Sequence, residues 1–152
     1  MKKILAAVAI LLGTAGVAAA CPAWQNGGFS SFYTTGSDLY LPNNYNVVAG
    51  GNVSLRNCNW NHTGFLTSPS TVQFRIDGLE QYGRIQFRAV SNCDTVLFIY
   101  DSRGEPWFDD DGLGNFNPEL TMLNPASGIY NVWVGTYGGG TCNAQLQVET
   151  WR

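Results

Sequence analysis

Apolar and polar side chains alternate with a period of two along most of this chain. In TVQFRIDGL (71–79), Val72, Phe74 and Ile76 alternate with Gln73, Arg75 and Asp77, the spacing of a strand with one buried and one wet face. The pattern continues through RIQFRAV (84–90), TVLFIY (95–100), ELTML (119–123), IYNVWVGTY (129–137) and AQLQVETW (144–151). NVSLRN (52–57) opens the series after the Ala49-Gly50-Gly51 turn signal. Turn clusters at Asp101 to Gly104, Asn124 to Gly128 and Gly138 to Gly140 separate the runs, and no helical stripe is present. Seven or eight short strands at regular spacing predict an all-β fold, an antiparallel sandwich. The stretch from Cys21 to Asn46, rich in Gly, Ser, Asn and Tyr, reads as loops with one short strand, tied down by Cys21. By strand parity Trp133 lies opposite Tyr130, Val132 and Val134, and packing into a core on that other face is the expectation.

The chain begins differently. Lys2 and Lys3 precede an apolar run from Ile4 to Leu12, and small residues follow up to Ala18-Ala19-Ala20, the organisation of a secretory signal peptide over residues 1–20. The run is too short for a membrane span of roughly 20 residues, and no later segment is long and apolar enough to be one. Residues 21–152 are then a single domain, large enough to bury a core. Losing Lys2 and Lys3 leaves six arginines against eleven acids, a formal charge of −5. That balance excludes nucleic acid and anionic membrane as partners that need a basic patch.

Export also fixes the reading of Cys21, Cys58, Cys93 and Cys142, an even set in an oxidising compartment. Two disulfides are expected. Of the three connectivities, Cys21–Cys58 with Cys93–Cys142 is favoured, because it pairs the N-terminal half within itself and joins a strand start to the approach of the last strand. Acylation of Cys21 after Ala-Ala-Ala is the alternative, but Ala18 stands where a lipoprotein signal has a bulky aliphatic residue. No CxxC motif or Cys/His cluster points to zinc. The place expected for the protein is the periplasm or the extracellular space.

CDTVLFIYDSRGEPWFDDDGLGNFNPELTMLNPASGIYNVWVGTY (93–137) resembles the bacterial pre-peptidase C-terminal domain family. The motifs are Asp94-Thr95 opening a strand, the Asp101 to Gly104 turn, Asp109-Asp110-Asp111-Gly112, and Gly128-Ile129-Tyr130 in a closing strand. Small exported proteins of Gram-negative bacteria with a WVGTY-like strand share the likeness. The resemblance covers roughly the last 60 residues firmly and implies a jelly-roll-like β-sandwich. It also implies an appendage of secreted enzymes that does not itself catalyse.

The acidic stretch DDDGLGNFNPE (109–119) has two readings. Calcium takes six to eight oxygen ligands, and Asp109, Asp110, Asp111, Asn115 and Asn117 offer side-chain oxygens within nine residues, with Asp94 and Asp101 able to approach from the neighbouring hairpin. It is not an EF-hand, since Leu113 and Leu120 fall at positions five and twelve counted from Asp109. The plainer reading is a solvated turn built on Asx hydrogen bonds.

Catalytic signatures are thin. His62 is the single histidine and lies in a polar loop; there is no Gly-x-Ser-x-Gly elbow and no metalloprotease histidine pair. Asp94-Thr95-Val96 lacks the glycine of an aspartic-protease motif, and adjacent aspartates in one loop are poorly placed as opposed acid and base. Trp24, Trp60 and Trp107 lie in or beside loops and are the candidate ligand-binding aromatics.

The sequence therefore points to an exported, non-catalytic binding or structural module, calcium-stabilised at 109–117, that contacts a glycan or a protein at the cell envelope. An accessory or inhibitor of an exported peptidase is the alternative, and a small hydrolase the third reading.

Overall fold

A computed structural model describes residues 21–25 and 27–152. The signal peptide expected over residues 1–20 lies outside the described residues. Among the described residues eleven strands form two sheets: β1 (Gly28–Thr35), β2 (Asn43–Gly50), β3 (Val53–Ser54), β4 (Phe65–Leu66), β5 (Ser70–Asp77), β6 (Arg84–Val90), β7 (Thr95–Tyr100), β8 (Pro106–Asp109), β9 (Glu119–Leu123), β10 (Gly128–Thr136) and β11 (Thr141–Trp151). The four-stranded sheet has the order β2-β11-β6-β9. In the seven-stranded sheet β10 is the hub. Its first half pairs with β5, its second half pairs on the other edge with β7, and Thr136 pairs with Phe65 of β4. β1 and β8 extend this sheet beyond β5 and β7, and β3 extends it beyond β4.

The alternating runs became strands because each places one phase of its side chains between the sheets. Val72, Phe74 and Ile76, Leu97 and Ile99, and Tyr130, Val132 and Val134 face Ile85, Phe87, Ala89, Leu120, Met122, Leu146 and Val148 across one core. Rings run through it at centroid distances of 5.0–6.4 Å, from Tyr45 to Phe74, to Phe87 and on to Tyr130, within the range where aromatic pairs attract beyond their burial.

A second, smaller core lies on the outer face of the seven-stranded sheet. Val96, Phe98 and Trp133, the opposite phase of β7 and β10, are covered by Leu55 and Leu66, with Trp60 and Phe108 at the margin. The 53–66 segment can lie this close because Gly135 has no side chain; a Cβ there would stand 2.4 Å from the Leu66 side chain and 2.6 Å from the Phe65 carbonyl oxygen. Burial on both faces accounts for the nearly unbroken apolar run TVLFIY, and it sets Trp133 in a core as expected.

Three parts of the strand pattern differ from expectation. Residues 21–46 hold the eight-residue β1 and the first half of the eight-residue β2 instead of loops with one short strand. β1 is an edge strand exposed along most of its length, so it has no apolar alternation to betray it, while in β2 the alternation of Tyr45, Val47 and Ala49 is masked by asparagines. NVSLRN is a strand only at Val53–Ser54, after which Arg56–Cys58 turns as a 3₁₀ helix and Asn59 adopts a left-handed conformation. Finally, β1 pairs with β5 in parallel; the chain visits the other sheet as β2 before returning, which supplies the long crossover that a parallel pair needs.

Both disulfides follow the favoured pairing, Cys21–Cys58 and Cys93–Cys142. Cys93 precedes β7 in one sheet and Cys142 lies in β11 of the other, so this bridge ties the two sheets together at one end of the sandwich. Trp133→Ala should lower stability in urea by about 3–5 kcal/mol. A change within about 0.5 kcal/mol, the range of surface substitutions, would contradict the second core.

Candidate functional site: an amide-lined cleft

Strand parity gives the four-stranded sheet an outer face that the apolar positions leave free. Cross-strand pairing sets its side chains in rows: Val48 beside Asn143, then Asn46, Gln145 and Val90, then Asn44, Gln147, Arg88 and Glu119, and last Trp151, Arg84 and Leu123. One end is concave. β11 continues past the end of β6, pairing there with β2 alone, while the chain leaves β6 through Ser91 and Asn92. The step leaves a cleft of about 670 Å³ lined by Asn46, Val48, Val90, Ser91, Asn92, Asn143 and Gln145, with Val47 and Ala144 between them, within the usual size range of small-ligand sites.

The wall of this cleft is pinned. Ser91 Oγ donates to the Asn143 carbonyl at 2.9 Å and accepts the Cys93 N–H at 3.1 Å. The Ser91 N–H donates to Asn117 Oδ1 at 2.9 Å, and Cys93 and Cys142 are the bridged pair. Ser91 is thus held as a hydrogen-bonding group with no histidine or carboxylate lining the cleft beside it. No side chain lining the cleft carries a charge or titrates near neutrality.

Charge gathers at the other end of the face. The Arg84 guanidinium lies 4.6 Å from the Trp151 ring centroid and that of Arg88 5.9 Å, and Arg88 Nε pairs with Glu119 Oε2 at 2.8 Å. Trp151, the aromatic that this face presents, is therefore already stacked under an arginine. Between the two arginines Gln86 donates to Thr121 Oγ1 at 2.8 Å.

The seven residues expected to hold calcium do not come together as one site. Asp94 and Asp101 flank β7 at opposite ends, a separation of roughly 20 Å at about 3.3 Å per residue. Asp101 caps its own turn, Oδ1 accepting the N–H groups of Arg103 and Glu105 and Oδ2 accepting Trp107 Nε1. Asp109 Oδ2 accepts the N–H groups of Gly112 and Glu119. Asn117 is buried; its Oδ1 holds Ser91, and its amide nitrogen donates to the Asn115 carbonyl. Backbone hydrogen bonds close the rest of the loop, Gly114 N–H to Asp111 and Asn117 N–H to Gly114, with Gly114, Asn115 and Phe116 at positive φ. Among the described residues no group of three or more His, Cys, Asp or Glu side chains is placed to hold a metal ion. Asp94 does feel its neighbours: burial, then Asp111 and Asp110, raise its carboxyl pKa from the ordinary value.

The tryptophans separate in the same way. Trp60 is half-buried in the second core, its ring edge-on to Phe98 at 5.0 Å, so packing takes up the surface expected to meet a ligand. Trp24 and Trp107 are exposed and both border the 101–104 turn: a Cβ on Gly104 would meet the Trp24 ring at 3.3 Å, and Trp107 Nε1 donates to Asp101. His62 lies flat against Phe108 at 4.1 Å.

The cleft residues were passed over in the sequence reading because each alone is an ordinary polar strand position. The available signal was that Asn44, Asn46, Asn143, Gln145 and Gln147 set five amides in the outward phase of β2 and β11, where Glu149 is the one charge.

No family model matches the chain, so its likeness to the pre-peptidase C-terminal domain family rests on the quoted motifs alone. No curated protein matches it. Among solved structures it is similar to Aeromonas hydrophila PliG, a periplasmic lysozyme inhibitor of g-type lysozyme. The two are 12% identical, with a TM-score of 0.44 over 79% of this chain and 98% of that one, and nothing of the inhibitor's function or residues is carried across.

Two outcomes follow from the acidic loop. Because Asp109 and Asn117 already spend side-chain oxygens on N–H groups and Asp101 lies at the far end of β7, calcium should leave the melting temperature unchanged; a saturable rise would restore the loop as a cation site. Asp111→Asn should raise the melting temperature at pH 7, where it relieves repulsion with ionised Asp94. With its pKa raised in the fold, Asp94 binds a proton more readily folded than unfolded, so its charge costs stability as pH rises through the carboxylate range. The gain from Asp111→Asn should therefore fade below about pH 4, and an equal gain at both pH values would refute the coupling.

Proposed function

We propose that this chain is an exported, non-catalytic binding module and that the amide-lined cleft receives a neutral, polyhydroxylated ligand, a glycan of the cell envelope or its surroundings. The observation that carries this reading is the chemistry of the lining. Asn46, Asn92, Asn143 and Gln145 each bring an amide that both donates and accepts hydrogen bonds, the match for a sugar hydroxyl that does the same. Val48 and Val90 give the C–H faces of a ring an apolar floor. General acid–base catalysis needs a positioned group that moves a proton, and these residues offer none. The two disulfides are of the kind that persists in an oxidising compartment, which supports export.

A protein partner is the second reading, in which the chain is an accessory or inhibitor of an exported enzyme. It is favoured by the 109–117 loop, whose Leu113 and Phe116 are exposed on a backbone held by its own hydrogen bonds.

A panel of neutral and acidic oligosaccharides, titrated by calorimetry against residues 21–152, separates the two. A neutral member should bind, and Asn46→Ala with Gln145→Ala should weaken it by roughly tenfold or more, at about 1 kcal/mol for each hydrogen bond lost, without moving the melting temperature. Phe116→Ala should leave binding intact. Binding untouched by the amide pair would defeat the glycan reading, and capture of an exported hydrolase lost with Phe116→Ala would establish the second.

A further inference from the structure

The two sides of the sandwich treat their exposed strand edges differently. On one side the edges are β8 and β9. β8 has four residues and begins with Pro106; β9 has five, lies between Pro118 and Pro125, and begins with Glu119. Short length, proline and charge are the devices by which an edge avoids pairing with another chain. On the other side the edges are β1 and β2. β1, GFSSFYTT, pairs only with β5, and β2, NNYNVVAG, pairs only with β11 among the described strands. Each has eight residues, and neither contains a proline or a charged side chain. Neither pairs with a further strand on its outer edge among the described residues, and the carboxylates beside β1, Asp38 on the Thr35 N–H and Asp77 on the Tyr33 hydroxyl, gather at its C-terminal end.

The core also reaches the surface on this side. Phe32 lies 4.8 Å from Tyr45 and 5.8 Å from Phe74, at the outer end of the row of rings that crosses the interior, yet 40% of it remains exposed. Phe29 and Tyr33, on the outer face of β1, are 68% and 67% exposed. These three rings leave roughly 350 Å² of aromatic surface in water, taking about 200 Å² for a whole side chain. That approaches half of the roughly 800 Å² each partner buries in a standard interface, before the backbone edge of β1 is added. A domain of formal charge −5 repels its own copies over most of its surface, but Gly28 to Phe32 carry no charge, and an antiparallel meeting sets the Asp38 and Asp77 end of one β1 against that neutral stretch of the other.

We infer that the β1–β2 side is an interface between two copies of this chain. Across a two-fold axis β1 of one copy runs antiparallel to β1 of the other, so that the seven-stranded sheet continues through the dimer and Phe29, Phe32 and Tyr33 leave water. A two-fold contact of this kind uses the same patch on both copies and closes on itself. The area is well below that of an obligate dimer, so the association is concentration-dependent. This inference is independent of what the amide-lined cleft binds.

Sedimentation equilibrium of residues 21–152 from micromolar to millimolar concentration tests it. The wild type should pass reversibly from monomer to dimer. Phe29→Lys with Ser31→Lys should remain monomeric throughout, with an unchanged melting temperature for the dilute protein, because both positions are exposed. Leu123→Lys, on the opposite edge, should dimerise as the wild type does. A wild type that stays monomeric to millimolar concentration overturns the inference, as does a dimer that survives the lysine pair or is lost with Leu123→Lys. A monomer that nevertheless binds a synthetic copy of residues 28–35 would make the edge a receptor for a foreign extended segment, and would equally overturn the assignment to a second copy.

Discussion

The structure depends on β10 being buried on both faces. Tyr130, Val132 and Val134 point into the main core and Trp133 into the second, while its edges pair with β5, β7 and β4. A strand hydrogen-bonded on both edges and covered on both faces can neither slip nor turn over, since a shift by one residue would exchange the valines with Trp133. The other strands take their places from it. Antiparallel pairing with β10 orients β5 and β7, β5 then carries β1, and Gly135 lets the 53–66 segment lie down as a cover. The four-stranded sheet completes the main core by offering Ile85, Phe87, Leu146 and Val148 to the inward face of β10 and its neighbours.

With both faces of β10 occupied by packing, the proposed binding cleft lies on the other sheet. The outer face of β2-β11-β6-β9 is the broad sheet surface that no loop covers with a core, and its polar positions divide into an amide end and a charged end. The cleft forms at the amide end because β6 stops one step short of β11. The same step brings Ser91, Asn117 and the Cys93–Cys142 bridge together, so the bond that holds the two sheets also fixes the cleft wall. Asn117 shows how a residue can suit one purpose by type and serve another by position: an oxygen donor in an acidic loop, it is spent on holding the N–H of Ser91.

How much of this was legible in the sequence follows from which physical signal each part depends on. RIQFRAV, TVLFIY and ELTML coincide with β6, β7 and β9 residue for residue, because burial against a core writes a period of two into the chain. β1 was missed for the complementary reason, since an edge strand exposed along most of its length has no apolar phase to write. The cysteine pairing could be favoured because each bridge joins stretches that the strand order brings together. Asp101 lies apart from the other oxygen donors named for calcium, because six residues of extended β7 separate it from Asp94, a consequence of strand geometry and not of composition. The cleft was hidden because a step between strands of unequal length exists only once the register is known.

The proposed recognition at the amide end of the four-stranded sheet is tested by a two-dimensional NMR titration of residues 21–152 with the oligosaccharide that binds. Side-chain amide signals report Asn and Gln individually, without any substitution. The account predicts that the signals of Asn46, Asn92, Asn143 and Gln145 shift together and saturably, with the backbone of Val90 and Ser91, while those of the 109–117 loop stay in place. Shifts confined to that loop, or to the turn beside Trp24 and Trp107, would contradict it.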